Sequence, residues 1–130
     1  MIHYLTVQQV LFLHMRLIDE TGGTQGVRDL GLLQAAVARP QATFDGEELY
    51  PHLFSKAAAM YHSLVSSHPM ADGNKRVGVA AAGLFLERNG YRMTADSAEL
   101  EAFTLSVAQG MRTVVEIAAW LKAHCASGAG

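Results

Sequence analysis

At 130 residues, half of them hydrophobic, the chain is long enough for one domain with its own core. A net charge of −2 with 8% aromatic residues excludes a broadly basic nucleic-acid surface. A lone cysteine, Cys125, excludes an internal disulfide and fits a reducing cytoplasm, and no cationic stretch leads into a long apolar run, so neither an export signal nor a membrane span is expected.

Thr6 followed by Gln9 has the spacing of a capping box, and Val10, Leu11, His14, Leu17 and Ile18 form a helical stripe that stops at Gly22-Gly23. His14 on that stripe reads as a packed histidine rather than a ligand, and His3, His52, His62 and His124 lack the spacing of a zinc site. After a glycine-rich turn, Arg28 is expected to pair with a local carboxylate, and Asp29 to cap a short helix through Leu30, Leu33, Ala36 and Val37 that ends before Pro40. From 41 to 52 the periodicity fails around Gly46, which marks an acidic loop.

From about Pro51, the apolar positions Leu53, Phe54, Ala57, Met60, Tyr61, Leu64 and Val65 predict a helix reaching His68, where Pro69 must end it. A second helix over 77–86 is apolar all round and therefore reads as buried and central, with its first turn near Asp72 to Asn74 and its stop at Asn89-Gly90. Asp96 with Glu99 and Thr113 with Glu116 are two more capping boxes. Leu100, Phe103, Val107 and Met111 follow the first, and Val114, Ile117, Leu121 and Cys125 the second. Trp120 falls off its stripe, at the core edge or as a partner anchor, and residues 126–130 read as a loose tail after a single domain over 1–125.

The chemistry is concentrated in His68-Pro69-Met70-Ala71-Asp72-Gly73-Asn74-Lys75-Arg76, between two helices. A helix N-terminus presents unpaired N–H groups and partial positive charge, and two cations in its first turn oppose the dipole until an anion is bound. Asp72 can cap the helix or hold a hard cation such as magnesium, Gly73 lets the backbone approach closely, and Asn74 can bond a phosphate oxygen or tie the loop down. His68 can accept the proton of an attacking hydroxyl. Together these parts suit transfer of a phosphate-containing group.

The stretch resembles the signature of the Fic/Doc family, H-x-F-x-(D/E)-G-N-(G/K)-R, with Lys75 before Arg76 as in its Doc (death on curing) toxin branch. The likeness extends from Tyr4-Leu5-Thr6 through Gly26-Val27-Arg28-Asp29 and Ala38-Arg39-Pro40 to Phe85-Leu86-Glu87-Arg88-Asn89-Gly90. Met70 stands in place of the family phenylalanine, and Val79 in place of a second arginine found in members that transfer AMP.

The resemblance implies an all-α bundle of about six helices around a buried central helix. It implies ATP held by Gly73, Asn74, Lys75 and Arg76, magnesium on Asp72 and His68 as base. The activity implied is that of a cytoplasmic kinase that phosphorylates a Ser or Thr hydroxyl of elongation factor Tu and so inhibits translation. A short hairpin or flap loop carrying Phe44, Asp45, Gly46 and Glu47 would align the target by strand addition. The chain lacks the family's inhibitory-helix pattern, which implies regulation in trans by a small antitoxin whose tail folds as a helix into an apolar groove. An adenylyltransferase and a catalytically silent helical binding module are the alternative readings.

Overall fold

In the computed structural model, which describes residues 1–128, most helices begin where a side chain satisfies the first free amides. Thr6 and Gln9 exchange hydrogen bonds of 2.8 and 3.2 Å at the start of α1 (Val7–Thr21). Asp29 caps α2 (Leu30–Ala38), accepting from the Leu32 amide at 3.0 Å. The boxes at Asp96 and Thr113 open α5 (Ser97–Ala108) and α6 (Val114–Ala123). The remaining helices, α3 (Leu53–Ser66) and α4 (Asn74–Arg88), flank the motif. Six α-helices, a single 3-10 turn (Arg39–Gln41) and two small strand pairs make up the regular structure of the described residues, an all-α fold.

The centre is shared by two helices. Ala57, Ala58, Ala59, Met60, Tyr61, Leu64 and Val65 of α3 are all buried, and α3 packs against α2, α4, α5 and α6. Gly78 lets α4 lie directly on it, since a Cβ there would fall 2.6 Å from Val65 Cγ2. The Tyr61 hydroxyl meets Thr104 Oγ1 at 2.5 Å, tying α3 to α5, and burial pushes the Tyr61 pKa up to about 12.

Although residues 77–86 of α4 are apolar all round, they are not buried all round. Val77, Gly78, Ala81, Ala82, Phe85 and Leu86 are buried, while Val79, Ala80, Gly83 and Leu84 are only half-buried. An apolar groove of about 500 Å³ runs there between Leu17 of α1, Val79 and Ala80 of α4, and Leu100 and Leu105 of α5.

The acidic stretch around Gly46 takes the hairpin that the family resemblance implied, β1 (Thr43–Phe44) with β2 (Glu47–Glu48), because Asp45 (φ 51°) and Gly46 (φ 80°) both accept the left-handed backbone of a tight two-residue turn. Two differences from the sequence reading have local causes. Residues 126–130 are not wholly a loose tail: β4 (Cys125–Ser127) pairs antiparallel with β3 (Tyr91–Met93), and Ala129 and Gly130 lie outside the described residues. Cys125 accordingly belongs to a strand and not to the α6 stripe. Trp120 stacks between Phe103, at 4.1 Å, and His124, at 3.9 Å, so it closes the core edge. No helix of the described residues is long and apolar enough to cross a membrane.

Candidate active site

The motif loop is shaped by backbone constraints before its side chains act. α3 ends at Ser66, and His68 adopts φ 54°, a left-handed conformation that a residue with a Cβ disfavours. Pro69 has no N–H to offer, so the loop is braced through its carbonyls. The Arg28 and Asp29 amides both donate to Pro69 O, at 2.8 and 3.0 Å, the Ala71 amide donates to Gly26 O at 3.0 Å, and Val27 bridges Met70. The Arg28 side chain does not pair with a carboxylate. Its Nε donates to His68 O at 2.6 Å and its Nη2 to Ser67 O at 2.9 Å.

Met70, only 1% exposed, plugs the loop into the core, an adaptable apolar side chain doing what a phenylalanine would do by bulk. Asn74 reinforces that anchor: its Oδ1 accepts from the Met70 amide at 2.9 Å and its Nδ2 donates to the Met70 carbonyl at 3.1 Å. Of the two roles open to Asn74, its side chain takes the tie.

Gly73 (φ 71°) is the residue from which α4 starts, and no acidic residue occupies the first turn. Asp72 therefore does not cap α4. Its Oδ1 accepts from the Gly73 amide at 2.7 Å and its Oδ2 from the Thr24 amide at 3.1 Å, with Arg76 Nη2 3.6 Å away. The Thr24 and Gly73 amides, then the charges of Arg76 and His14, hold the Asp72 carboxyl below its ordinary pKa, so it is ionised at neutral pH. Beneath it, buried His14 donates from Nε2 to the Asp72 carbonyl at 2.7 Å, which makes this packed histidine a support of the motif.

Arg76 reaches across to the end of α1, donating from Nη1 to Gly22 O at 2.8 Å and to Thr21 Oγ1. Lys75 is exposed and forms no ion pair among the described residues. Together His68, Asp72, Gly73, Asn74, Lys75 and Arg76, with Ala71 and Ala108, line one cleft of about 270 Å³. Open helix-terminal amides, one free cation and one bound cation suit a chain of phosphates. Magnesium takes one or two carboxylates and completes its shell with phosphate and water, so ionised Asp72 is a fitting ligand even though the described residues hold no cluster of three acidic, histidine or cysteine side chains.

The hairpin residues Phe44, Asp45, Gly46 and Glu47 are exposed and do not line this cleft. The hairpin's roots are fixed to α3. Lys56, 2% exposed, donates from Nζ to Glu48 Oε1 at 2.7 Å and to Pro40 O at 3.2 Å. Arg39 donates to the Tyr50 hydroxyl at 3.0 Å, to Ser63 Oγ at 2.9 Å and to His62 Nδ1 at 3.0 Å. Burial and the Arg39 charge hold the His62 pKa below its ordinary value. Sequence reasoning did not single out Lys56. Its signal was a lysine at a position on the apolar stripe of α3, four residues before Met60.

The model of the Fic/DOC family matches residues 4–86. A protein described as Toxin Doc, from Mycolicibacterium smegmatis, is 56% identical over 75 residues, which span 58% of this chain and 58% of that protein. Another, described as Protein kinase doc, from Escherichia phage P1, is 33% identical over 119 residues, or 92% of this chain and 93% of that one. With the motif loop, the braced histidine and the start of α4 all inside the matched span, the chain belongs to the Fic/Doc family.

Proposed function

We propose that this chain is the toxin of a toxin–antitoxin pair and a protein kinase that transfers the terminal phosphoryl group of ATP to a Ser or Thr hydroxyl of a protein target, elongation factor Tu being the target expected. The observation that carries this reading is the cleft itself: an exposed histidine faces a helix start furnished with a free lysine, an arginine and an ionised aspartate. The names of the two relatives, a toxin and a protein kinase, support it.

Bound magnesium-ATP supplies the transferable phosphoryl group and part of the charge neutralisation. His68 accepts the proton as the target oxygen bonds to phosphorus and the bond from phosphorus to the bridging oxygen breaks, leaving ADP. Lys75, Arg76 and the first amides of α4 offset charge on the phosphate oxygens, and Asp72 would hold the metal. Little covalent work falls to the protein, so alignment of the hydroxyl matters, and the exposed hairpin at Phe44 to Glu47 is the segment proposed to supply it.

The antitoxin is proposed to lie in the apolar groove between α1, α4 and α5, as an amphipathic helix. Lys75 and Arg76 close one end of that groove and also line the catalytic cleft, so an occupant would sit beside the phosphate site. We place the protein in the cytoplasm, where its target and ATP are found.

Intact-mass analysis of elongation factor Tu after incubation with the protein, ATP and magnesium tests the reaction. A gain of one phosphoryl group is expected, with His68→Ala slower by about 10²- to 10⁴-fold, the usual contribution of a general base. A gain of AMP would replace the kinase reading with adenylyl transfer, and an unimpaired His68→Ala would remove His68 from the role of base.

A further inference from the structure

We propose that Arg28 is a positioning residue that holds His68 in its working conformation. This inference rests on the reading of His68 as general base, and it concerns how the fold keeps an exposed imidazole aimed. Among the described residues no side chain bonds the His68 imidazole, so its direction follows from the backbone at residue 68. That backbone is in the left-handed region at φ 54°, a conformation the chain would leave if nothing held it.

Two peptide planes flank the His68 Cα. One carries the Ser67 carbonyl and the other the His68 carbonyl. Because each peptide unit is rigid and planar, fixing the direction of both carbonyls fixes both dihedral angles of the residue between them. Arg28 does this with a single planar group: Nη2 takes Ser67 O at 2.9 Å and Nε takes His68 O at 2.6 Å. The second plane has no other handle, since its nitrogen belongs to Pro69 and carries no hydrogen. Where the chain passes on, the Arg28 and Asp29 amides secure Pro69 O, so the same segment orders the following plane as well. The positive guanidinium also sits at the C-terminal end of α3, where a cation complements the helix dipole.

The fork is specific to arginine. A lysine would bring a charge and rotatable donors but no rigid pair of N–H vectors, so it restores only part of the constraint. An alanine removes both.

The test compares wild type, Arg28→Ala, Arg28→Lys and His68→Ala, each first shown to be folded by its melting transition. Steady-state transfer from ATP to elongation factor Tu gives kcat and the KM for ATP. In parallel, the intraresidue HN–Hα nuclear Overhauser effect of His68 reports the left-handed backbone and does not depend on activity. Arg28→Ala is expected to lose kcat by about 10- to 100-fold, the scale of an ångström-level misplacement, and Arg28→Lys to recover part of it. The KM for ATP stays within about twofold, since Arg28 does not line the phosphate cleft. The strong Overhauser effect seen in wild type should be lost in Arg28→Ala. Wild-type kcat in Arg28→Ala, or an undiminished Overhauser effect, overturns the positioning role while an inactive His68→Ala leaves the base reading standing. A fully active His68→Ala removes the base reading and takes the catalytic meaning of Arg28 with it.

Discussion

Asp72 answers to two partners that want its charge in the same state. As a brace it accepts from the Thr24 and Gly73 amides, and as a proposed magnesium ligand it must be ionised; the lowered pKa serves both. Its depressed native value makes its contribution to stability complete above the unfolded value of 3.8 and lost as pH falls through the native one. Asp72→Asn should therefore melt below wild type by a constant margin between about pH 5 and 7, and that margin should shrink as acid protonates the wild-type carboxyl. Thermal melts across this range check it, and a margin that holds at pH 3 would show that the brace does not depend on charge. Gly23 belongs to the same contact: a Cβ there would meet Asp72 Oδ2 at 2.6 Å, so the turn after α1 must be built of glycine for the carboxylate to dock.

Among the elements, the hairpin depends most on one buried charge. The Lys56 ammonium is 2% exposed, and burial works to lower its pKa, yet Glu48 and Tyr4 together hold it above 10.5. A raised lysine contributes stability that is present below 10.5 and lost only as pH rises through the native value, so the contact is intact throughout the neutral range. Glu48→Gln leaves the ammonium with neutral partners and should cost about 1–2 kcal/mol, less than a fully buried pair because the glutamate side chain is half exposed. The Leu49 amide, which bonds Ala42 O at 2.9 Å across the hairpin root, should then exchange its hydrogen faster. Unchanged protection of that amide would mean that Arg39 and Tyr50 alone hold the root. The residues alone read as an acidic loop around Gly46, and only the family resemblance implied the hairpin, because strands of two residues have no periodicity to read.

Across the whole molecule, what the sequence revealed and what it hid divide along one physical line. The three capping boxes and the Asp29 cap were readable because side chain and amide lie three residues apart, and the motif was readable because it is contiguous. Arg28 on the Ser67 and His68 carbonyls, His14 on the Asp72 carbonyl and the bridge from Val27 to Met70 were not, because a backbone acceptor has no residue identity and its partner lies some forty or more residues away. The half-bare face of α4 was hidden for a related reason: apolar composition says that a face wants cover, and only the packing says whether this chain supplies it. That half-buried face is why the groove is the place proposed for the antitoxin. Leu105, 48% exposed on the groove wall and outside the cleft, is the place to test it. Leu105→Glu should leave transfer by the free protein unchanged and weaken antitoxin binding by roughly tenfold or more, the equivalent of losing one leucine's burial. Titration calorimetry with the antitoxin reads the affinity; an undiminished value would move the antitoxin to another face and leave the half-buried apolar strip of α4 without an occupant.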